Sequence, residues 1–253
     1  MVTQTENVPD ESPSRGWIDI HSHLLPGIDD GCIDLQDSIR CVRRLMQLGF
    51  VGSVCTPHMD PHQFPLNTPS HVEAWTAQIA LELEDAGLTY NVWPGGELGI
   101  SDVAIDWMKQ YGVPCLARSR CVLTDFWFDK WPRCVVATYE WLLGEGYQPI
   151  LAHPERLPPS QRLRDQIKQL VDIGVWLQGN FRSFTGEDGL AASEMTRDFV
   201  RDGTYRFLSL DMHGSDSLEP RIEGLQLVVD EFGLDAANQR TGQFPFRDII
   251  GRQ

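Results

Sequence analysis

Seven short apolar segments, each followed by polar residues, recur along the chain at similar intervals. The polar ends fall at residues 21, 58, 97, 125, 153, 180 and 213, with spacings of 37, 39, 28, 28, 27 and 33 residues. Between them, stretches such as 35–48 and 190–201 have apolar residues at helical spacing. A strand with its helix takes roughly 30 residues, so the pattern predicts seven parallel β/α units. Right-handed connections bring the carboxyl ends of such strands to one face, which carries the chemistry in β/α barrels.

Length and charge restrict the domain organisation and the partners. The 253 residues fit one α/β barrel as well as two smaller domains, and no change of composition marks a linker. The formal charge of 21 − 36 = −15 disfavours a nucleic acid partner. No apolar run approaches the roughly 18 residues of a membrane span. The start, MVTQTENVPDESPSRG, lacks a signal-peptide core. We expect a disordered tail over residues 1–16 and one domain over 17–253.

The six cysteines indicate a reducing compartment. They form no CxxC pair and lie in apolar surroundings, which is typical of reduced core residues in a cytoplasmic protein. None is followed by arginine six positions later, as the phosphate loop of cysteine-dependent phosphatases requires. The sequence therefore disfavours thiol-based phosphatase chemistry.

The segment WIDIHSHLLPGIDDG, residues 17–31, carries the first sign of a metal site. Its apolar start predicts a buried strand that runs into His21 and His23. Residues i and i+2 of an extended segment face the same side, so both imidazoles can bind one cation. Asp29 or Asp30 adds a carboxylate in the following turn. An H-x-H pair alone is a weak signal, and its weight depends on further ligands downstream.

Those further ligands lie at the other predicted strand ends. Any one of them is as readily explained as a hydrogen-bonded loop residue, but their shared position at consecutive strand ends predicts a site for two or three divalent ions. Mixed imidazole and carboxylate ligation suits Mn, Fe or Zn, with Mn favoured, and excludes an oxygen-only magnesium or calcium cage. The set is His21, His23, Asp29 or Asp30, His58, Glu97, Asp125, His153, Asp211 and His213.

A cluster of this kind suits phosphate chemistry. It lowers the pKa of a bridging water and polarises a phosphoryl oxygen. Three divalent ions bring about six positive charges against four ligand carboxylates, so an acidic protein can still attract an anion there. Arg156, three residues after His153, is placed to bind a phosphate oxygen. The alternative for Arg156 is a surface ion pair with Glu155 or another acid.

The chain resembles the polymerase and histidinol phosphatase (PHP) superfamily, and within it the metal-dependent protein-tyrosine phosphatases of bacterial capsule and exopolysaccharide loci. The resemblance covers roughly residues 17 to 232 and rests on DIHSHLLPGIDDG, TPH at 56–58, GGEL at 95–98, AHPER at 152–156 and SLDMH at 209–213. It implies a distorted seven-stranded (β/α) TIM-like barrel with a trinuclear metal site. It also implies phosphotyrosine on a bacterial tyrosine kinase as substrate, and Asp30 as the ligand after the H-x-H.

Two departures from the family pattern, and one added segment, concern the site. Asp125 stands where the family usually has glutamate, and its shorter arm can lengthen a metal contact. The family tends to carry a phosphate-binding arginine soon after the last D-x-H, but here Gly214–Pro220 intervenes before Arg221, which is the candidate for that role. Trp127, in the aromatic segment after Asp125, is a hypothetical stacking partner for a phosphotyrosine ring. The alternative is that this segment packs between loops or in a homo-oligomer contact.

Three functions fit these residues. The first is a phosphotyrosine-protein phosphatase in which metal-activated hydroxide attacks phosphorus directly, with Asp211 or His213 handling protons and Arg156 holding the phosphate. The second keeps the site but takes a small phosphomonoester such as histidinol phosphate. The third is a non-catalytic, metal-stabilised regulator of polysaccharide assembly, which the complete ligand set disfavours. Spacing alone does not define the substrate, because loops outside the metal site select it.

Overall fold

The computed structural model describes residues 16–126 and 131–251, which form a mixed α/β fold. Apart from Gly16, the tail predicted over residues 1–16 lies outside the described residues. The strands of the described residues are β1 Trp17–Ser22, β2 Phe50–Cys55, β3 His58–Met59, β4 Asn91–Pro94, β5 Glu97–Gly99, β6 Cys121–Asp125, β7 Gln148–Ala152, β8 Trp176–Asn180 and β9 Tyr205–Ser209. The α-helices are α1 Leu35–Gln47, α2 Pro69–Asp85, α3 Ala104–Tyr111, α4 Val135–Gly144, α5 Gln161–Asp172, α6 Leu190–Arg201, α7 Leu218–Phe232 and α8 Leu234–Asn238.

The strands form two sheets in which every named pair is parallel. One sheet has the order β1-β2-β4 and the other β3-β5-β6-β7-β8-β9. An isolated parallel bridge between Ser22 and Met212 connects the β1 edge with the segment after β9. Parallel pairing between alternating helices places the carboxyl ends of these strands on the same side of the fold.

The structure has two more strands in its described part than the seven predicted, because the polar ends at residues 58 and 97 form short strands of their own. The strand that ends at Cys55 resumes as β3 after Thr56-Pro57, and β4 resumes as β5 after Gly95-Gly96. Proline cannot donate to a ladder, so it breaks regular pairing. The resumed pieces pair with each other, with His58 opposite Glu97 in register. The interruption therefore brings two predicted ligands side by side.

The apolar core has two parts. One includes helix residues such as Val42 and Leu45 of α1, and the other consists largely of strand residues such as Ile18 and Ile20. The weakly patterned C-terminal stretch is helical, with π-helical turns at Gln239–Gln243 and Phe246–Ile250, and it buries Ile249 in the second part. Among the described residues, the helices are too short or too polar to cross a membrane.

Candidate metal centre

The predicted ligands converge at the carboxyl ends of the strands. His21 lies near the end of β1 and His23 directly follows this strand. His58 and Glu97 begin β3 and β5, as described above. The remaining residues end or follow strands, or lie in the loop before α1: Asp30, Asp125 as the last residue of β6, His153 after β7, and Asp211 and His213 after β9. This is the face that carries chemistry in parallel β/α folds.

Glu97 lies at the centre of the cluster. Its Oε1 is 3.4 Å from His21 Nε2 and 3.1 Å from His153 Nε2. Its Oε2 is 2.7 Å from His58 Nδ1 and 3.6 Å from His23 Nε2. The side chain is buried. A carboxylate with two imidazoles at each oxygen has the arrangement of a ligand shared between two cations.

The two carboxylate oxygens of Asp211 have different surroundings: one faces the histidines of the cluster and the other accepts hydrogen bonds from neighbouring side chains. Oδ1 lies 3.3 Å from His21 Nε2 and 3.4 Å from His23 Nε2. Oδ2 accepts hydrogen bonds from Asn180 Nδ2 at 2.7 Å and from Arg156 Nη1 at 3.2 Å. One oxygen is thus available to a cation while the other is held by two donors.

Backbone strain occurs at two of these positions. His153 has φ of 30° and Asp211 has φ of 50°, both in the left-handed region that residues other than glycine rarely adopt. Hydrogen bonds hold both in place: His153 N–H donates to the Gln178 carbonyl at 2.7 Å, and Asp211 N–H to the His21 carbonyl at 2.9 Å. Such strain persists where the surrounding structure enforces it, often at functional sites.

Eight of the nine predicted ligands fall into three groups, in each of which the ligand atoms lie within 4.8 Å of one another. The buried ring nitrogens His21 Nε2 and His23 Nε2 have no hydrogen-bond partner of good geometry. Leaving such atoms unsatisfied is costly, and a bound cation would satisfy both. The donor set therefore fits divalent metal ions. The groups are His23, Asp30, His58 and His213; His21, His23 and Asp211; and His21, Glu97 and His153.

The two aspartates of the first loop have different positions. Asp30 Oδ1 lies 3.2 Å from His58 Nε2 and 3.4 Å from His213 Nε2. Asp29 Oδ2 instead lies 2.7 Å from His23 Nδ1 and accepts the His58 N–H at 3.1 Å. Asp29 therefore orients His23, so that its Nε2 faces the cluster, as carboxylates behind metal-binding histidines commonly do.

Asp125 lies outside the three groups. Its Oδ1 is 3.9 Å from His153 Nδ1, and the carboxylate lines the cavity above the cluster. Its short arm, already noted in the sequence, agrees with this more distant position.

Strand β8 supplies two amides that sequence reasoning missed as site residues. Gln178 Oε1 lies 2.9 Å from His21 Nδ1, so this nitrogen donates and Nε2 is left as the atom facing the cluster. Gln178 Nε2 donates to Asn180 Oδ1 at 2.8 Å, and Asn180 in turn donates to Asp211. The signal was the i, i+2 spacing of two amides on an otherwise apolar, buried strand.

The charges of the cluster are strongly coupled. Burial would lower the pKa values of His58 and His153, but Glu97 beside the first and Asp125 beside the second outweigh it, and both pKa values rise to about 9. Burial would raise the pKa of Glu97, yet the surrounding imidazoles hold it well below its usual range. Burial lowers the pKa of His213 to about 4. Without cations, protons on imidazoles balance the buried carboxylates, so metal binding must release protons.

A cavity of about 300 Å³ opens above the cluster. Arg156 reaches it from the short helical turn after β7, and its side chain is 39% exposed. Burial would lower the pKa of Arg156, but Asp211 and Asp188 outweigh it and raise that pKa. The lining residues are Asp30, His58, Glu97, Asp125, Phe126, His153, Arg156, Leu157, Pro158, Asp211 and His213.

The two other residues predicted to bind substrate are Arg221 and Trp127. Arg221 is buried and does not line the cavity. It donates to the carbonyls of Leu210, Asp211 and Ser217 through Nε and Nη1, so it supports the Asp211 turn, and its contact with phosphate stays a prediction. Trp127 lies outside the described residues.

A buried cluster of histidines and carboxylates below an arginine-lined cavity, on a parallel α/β fold, defines the class of metal-dependent hydrolases. Residues 17–242 match the family described as capsular polysaccharide synthesis, CpsB/CapC, and the chain belongs to this family.

Proteins named as tyrosine phosphatases align with most of this chain. The tyrosine-protein phosphatase YwqE of Bacillus subtilis (strain 168) is 29% identical over 220 residues, which are 86% of this chain and 86% of that protein. The tyrosine-protein phosphatase CpsB of Streptococcus agalactiae serotype V is 24% identical over 229 residues, 88% of this chain and 93% of that protein. A crystal structure from work on YwqE and on CpsB of Streptococcus pneumoniae, described as unique metal-dependent tyrosine phosphatases, has a TM-score of 0.82 at 27% identity. It covers 93% of this chain and 95% of that chain.

Proposed function

We propose that this protein is a metal-dependent protein-tyrosine phosphatase that hydrolyses phosphotyrosine on a bacterial tyrosine kinase of polysaccharide biosynthesis. The observation that carries the proposal is the juxtaposition of Arg156 with the ligand cluster in one cavity, with Nη1 3.2 Å from Asp211 Oδ2. Membership of the CpsB/CapC family and the similarity to YwqE and CpsB support phosphotyrosine as the substrate class.

The nine predicted ligands would hold two or three divalent ions. Manganese suits the mixed nitrogen and oxygen donors, and iron or zinc are the alternatives. Glu97 at the centre of the cluster and Asp125 at its edge would both be among the residues that hold them. When bound, the ions would lower the pKa of water and polarise a phosphoryl oxygen.

The side chains of the cavity have separate tasks. The Arg156 guanidinium binds the phosphate oxygens and orients phosphorus above the cluster. His213, which is 22% exposed and lines the cavity, is our proposed residue for taking up and returning protons, and Asp211, whose Oδ2 faces Arg156, is the alternative. Every histidine and carboxylate among the described lining residues is a predicted metal ligand, and these residues include no cysteine, serine or threonine, so we propose direct attack of water on phosphorus without a covalent intermediate.

One side of the cavity suits an aromatic leaving group. Leu157 and Pro158, which are at least partly exposed, add apolar surface to the cavity lining, against which the ring of a phosphotyrosine can pack. Trp127, the residue after Phe126, remains our proposed stacking partner. A small aliphatic phosphomonoester would leave this apolar surface uncovered.

We also propose that residues 17–253 form one domain whose sheets are parts of a single distorted barrel. The parallel bridge at Ser22 and Met212, and the His23 N–H that donates to the Met212 carbonyl at 3.1 Å, support this by linking the β1 edge to β9. The six cysteines are free thiols, which supports a reducing, cytoplasmic location.

The test compares three substrates on purified full-length protein loaded with Mn²⁺. We expect kcat/KM to be highest for a phosphotyrosine peptide, lower for p-nitrophenyl phosphate and lowest for histidinol phosphate. Chelation should abolish turnover and Mn²⁺ should restore it. A preference for histidinol phosphate would indicate the small-molecule phosphatase. Absence of any metal-dependent turnover would refute the catalytic proposal in favour of a metal-stabilised regulatory module.

A further inference from the structure

The Arg156 guanidinium lies between two carboxylates from different parts of the chain. Nη1 donates to Asp211 Oδ2 at 3.2 Å, and Nε lies 4.0 Å from Asp188 Oδ1. Asp211 belongs to the ligand cluster, whereas Asp188 does not line the cavity. Asp188 thus lies at ion-pair distance from Arg156 without being among the residues that line the cavity.

Asp188 is itself held rigidly. It accepts hydrogen bonds from Arg182, through both Nε and Nη2, and from the Ser183 hydroxyl at 2.9 Å. It lies between Gly186 and Gly189, which have φ of 88° and 98°, so this tight turn uses backbone conformations that suit glycine. Burial would raise the pKa of Asp188, but Arg182 outweighs it and keeps that pKa below its usual value, so the carboxylate is charged.

A second set of contacts joins this turn to the segment that carries Arg156. Glu155, the preceding residue, accepts a hydrogen bond from the Asn180 N–H at 2.9 Å, and its Oε1 lies 3.0 Å from the Ser183 hydroxyl, whose single proton it shares with Asp188. The Tyr205 hydroxyl donates to the other oxygen of Glu155 at 2.6 Å. The backbones on either side of the Arg156–Asp188 contact are therefore fixed relative to each other.

We propose that Asp188 is a positioning residue, which holds Arg156 so that its Nη atoms face the phosphate. The inference rests on the proposed phosphatase function. Arginine side chains lose rotamer entropy when they are fixed, and a partner that fixes Arg156 beforehand removes part of this cost from phosphate binding. Arg182 pairs more closely with Asp188 than Arg156 does, so the negative charge of Asp188 is shared with a second arginine and does not fall on Arg156 alone.

The principal test replaces Asp188 by asparagine in the Mn²⁺-loaded, full-length protein. We expect KM for a phosphotyrosine peptide to rise about tenfold while kcat changes less than about threefold, since the loss falls on substrate binding. Inorganic phosphate titrated calorimetrically should lose affinity by a similar factor, which tests binding without turnover. Asp188→Glu keeps the charge and should recover part of the affinity. Asp198→Asn, on a half-exposed carboxylate of α6 paired with Arg164, is the matched control and should leave KM unchanged.

A double-mutant cycle separates positioning from a general structural effect. If Asp188 acts through Arg156, then Asp188→Asn should add little to the effect of Arg156→Gln on phosphate affinity. Additive losses, or an Asp188→Asn protein that binds phosphate as well as or better than wild type, would overturn the proposal. A wild-type protein that binds phosphate but hydrolyses no phosphomonoester would refute only the phosphatase function. A wild-type protein that binds no phosphate would refute both.

Discussion

Gln178→Leu offers a sharp test of how the fold prepares the metal site. The substitution keeps the volume of the side chain but removes the acceptor 2.9 Å from His21 Nδ1, and leaves that buried nitrogen unpaired. Loss of such a supporting partner costs about 10–100-fold in metal affinity, or about 1.4–2.7 kcal/mol. The same amide supports Asn180, which donates to Asp211, so two ligands lose support. We therefore expect a loss in the upper half of this range, about 30–100-fold.

The assay is calorimetric titration of Mn²⁺ into metal-free protein at fixed pH, with circular dichroism to confirm the native fold. Gln178→Glu keeps an acceptor for His21 but loses the donor to Asn180, so its effect should lie between wild type and Gln178→Leu. Gln226→Leu, on an exposed face of α7, is the matched control. Mn²⁺ affinity within twofold of wild type in a folded Gln178→Leu protein would show that the His21 orientation does not depend on β8.

Three further substitutions test other parts of the structure. Glu97→Gln should lower Mn²⁺ affinity more than about 100-fold, a larger loss than removal of a supporting residue causes, because it removes the central carboxylate. The same calorimetric titration measures this loss, and a smaller one would contradict the assignment of Glu97 as a ligand shared between ions. Asp125→Glu adds one methylene, about 1.5 Å of reach, to a carboxylate 3.9 Å from His153. Its Mn²⁺ affinity should rise several-fold, and an unchanged value would place this carboxylate outside the coordination sphere. Asp248→Asn should lower the free energy of unfolding by about 1–3 kcal/mol at pH 7, since Arg206 and Arg247 both donate to this carboxylate. Burial would raise the pKa of Asp248, but its arginine partners lower it. The difference in the free energy of unfolding between wild type and Asp248→Asn, measured with urea, should therefore shrink as the pH falls below about 4. A difference that stays constant with pH would refute the ionic contribution of Asp248.

The strand pattern predicted the fold class well, because buried parallel strands are short apolar runs with turn residues after them. The predicted helical stretch at 190–201 agrees with α6 to the residue, and the one at 35–48 extends one residue beyond α1. The breaks at Pro57 and Gly95-Gly96 were visible as residues, but the pairing of β3 with β5 was not. That pairing depends on register between segments about 40 residues apart.

The candidate site was predicted unevenly for a related reason. Histidines and acidic residues at strand ends are rare enough to be noticed, and eight of them fall into the metal-binding groups. Arg221 was expected near phosphate from its place after the D-x-H, and its guanidinium also donates to three backbone carbonyls. Asp188 and Gln178 gave little signal, because an acid in a glycine-flanked turn and an amide in a strand are common for structural reasons.

The sequence by itself determined the chemistry available to this protein: the ligand types, the strand ends that bear them and an arginine beside them. Local residue type and spacing are enough for this, since a strand end and its polar residue are covalently linked. Only the tertiary structure decided which atoms meet: that Glu97 contacts four histidines, that Asp29 orients His23 while Asp30 joins the cluster, and that Asp188 lies behind Arg156. These contacts join distant segments, and angstrom-scale differences in packing separate a ligand from its support.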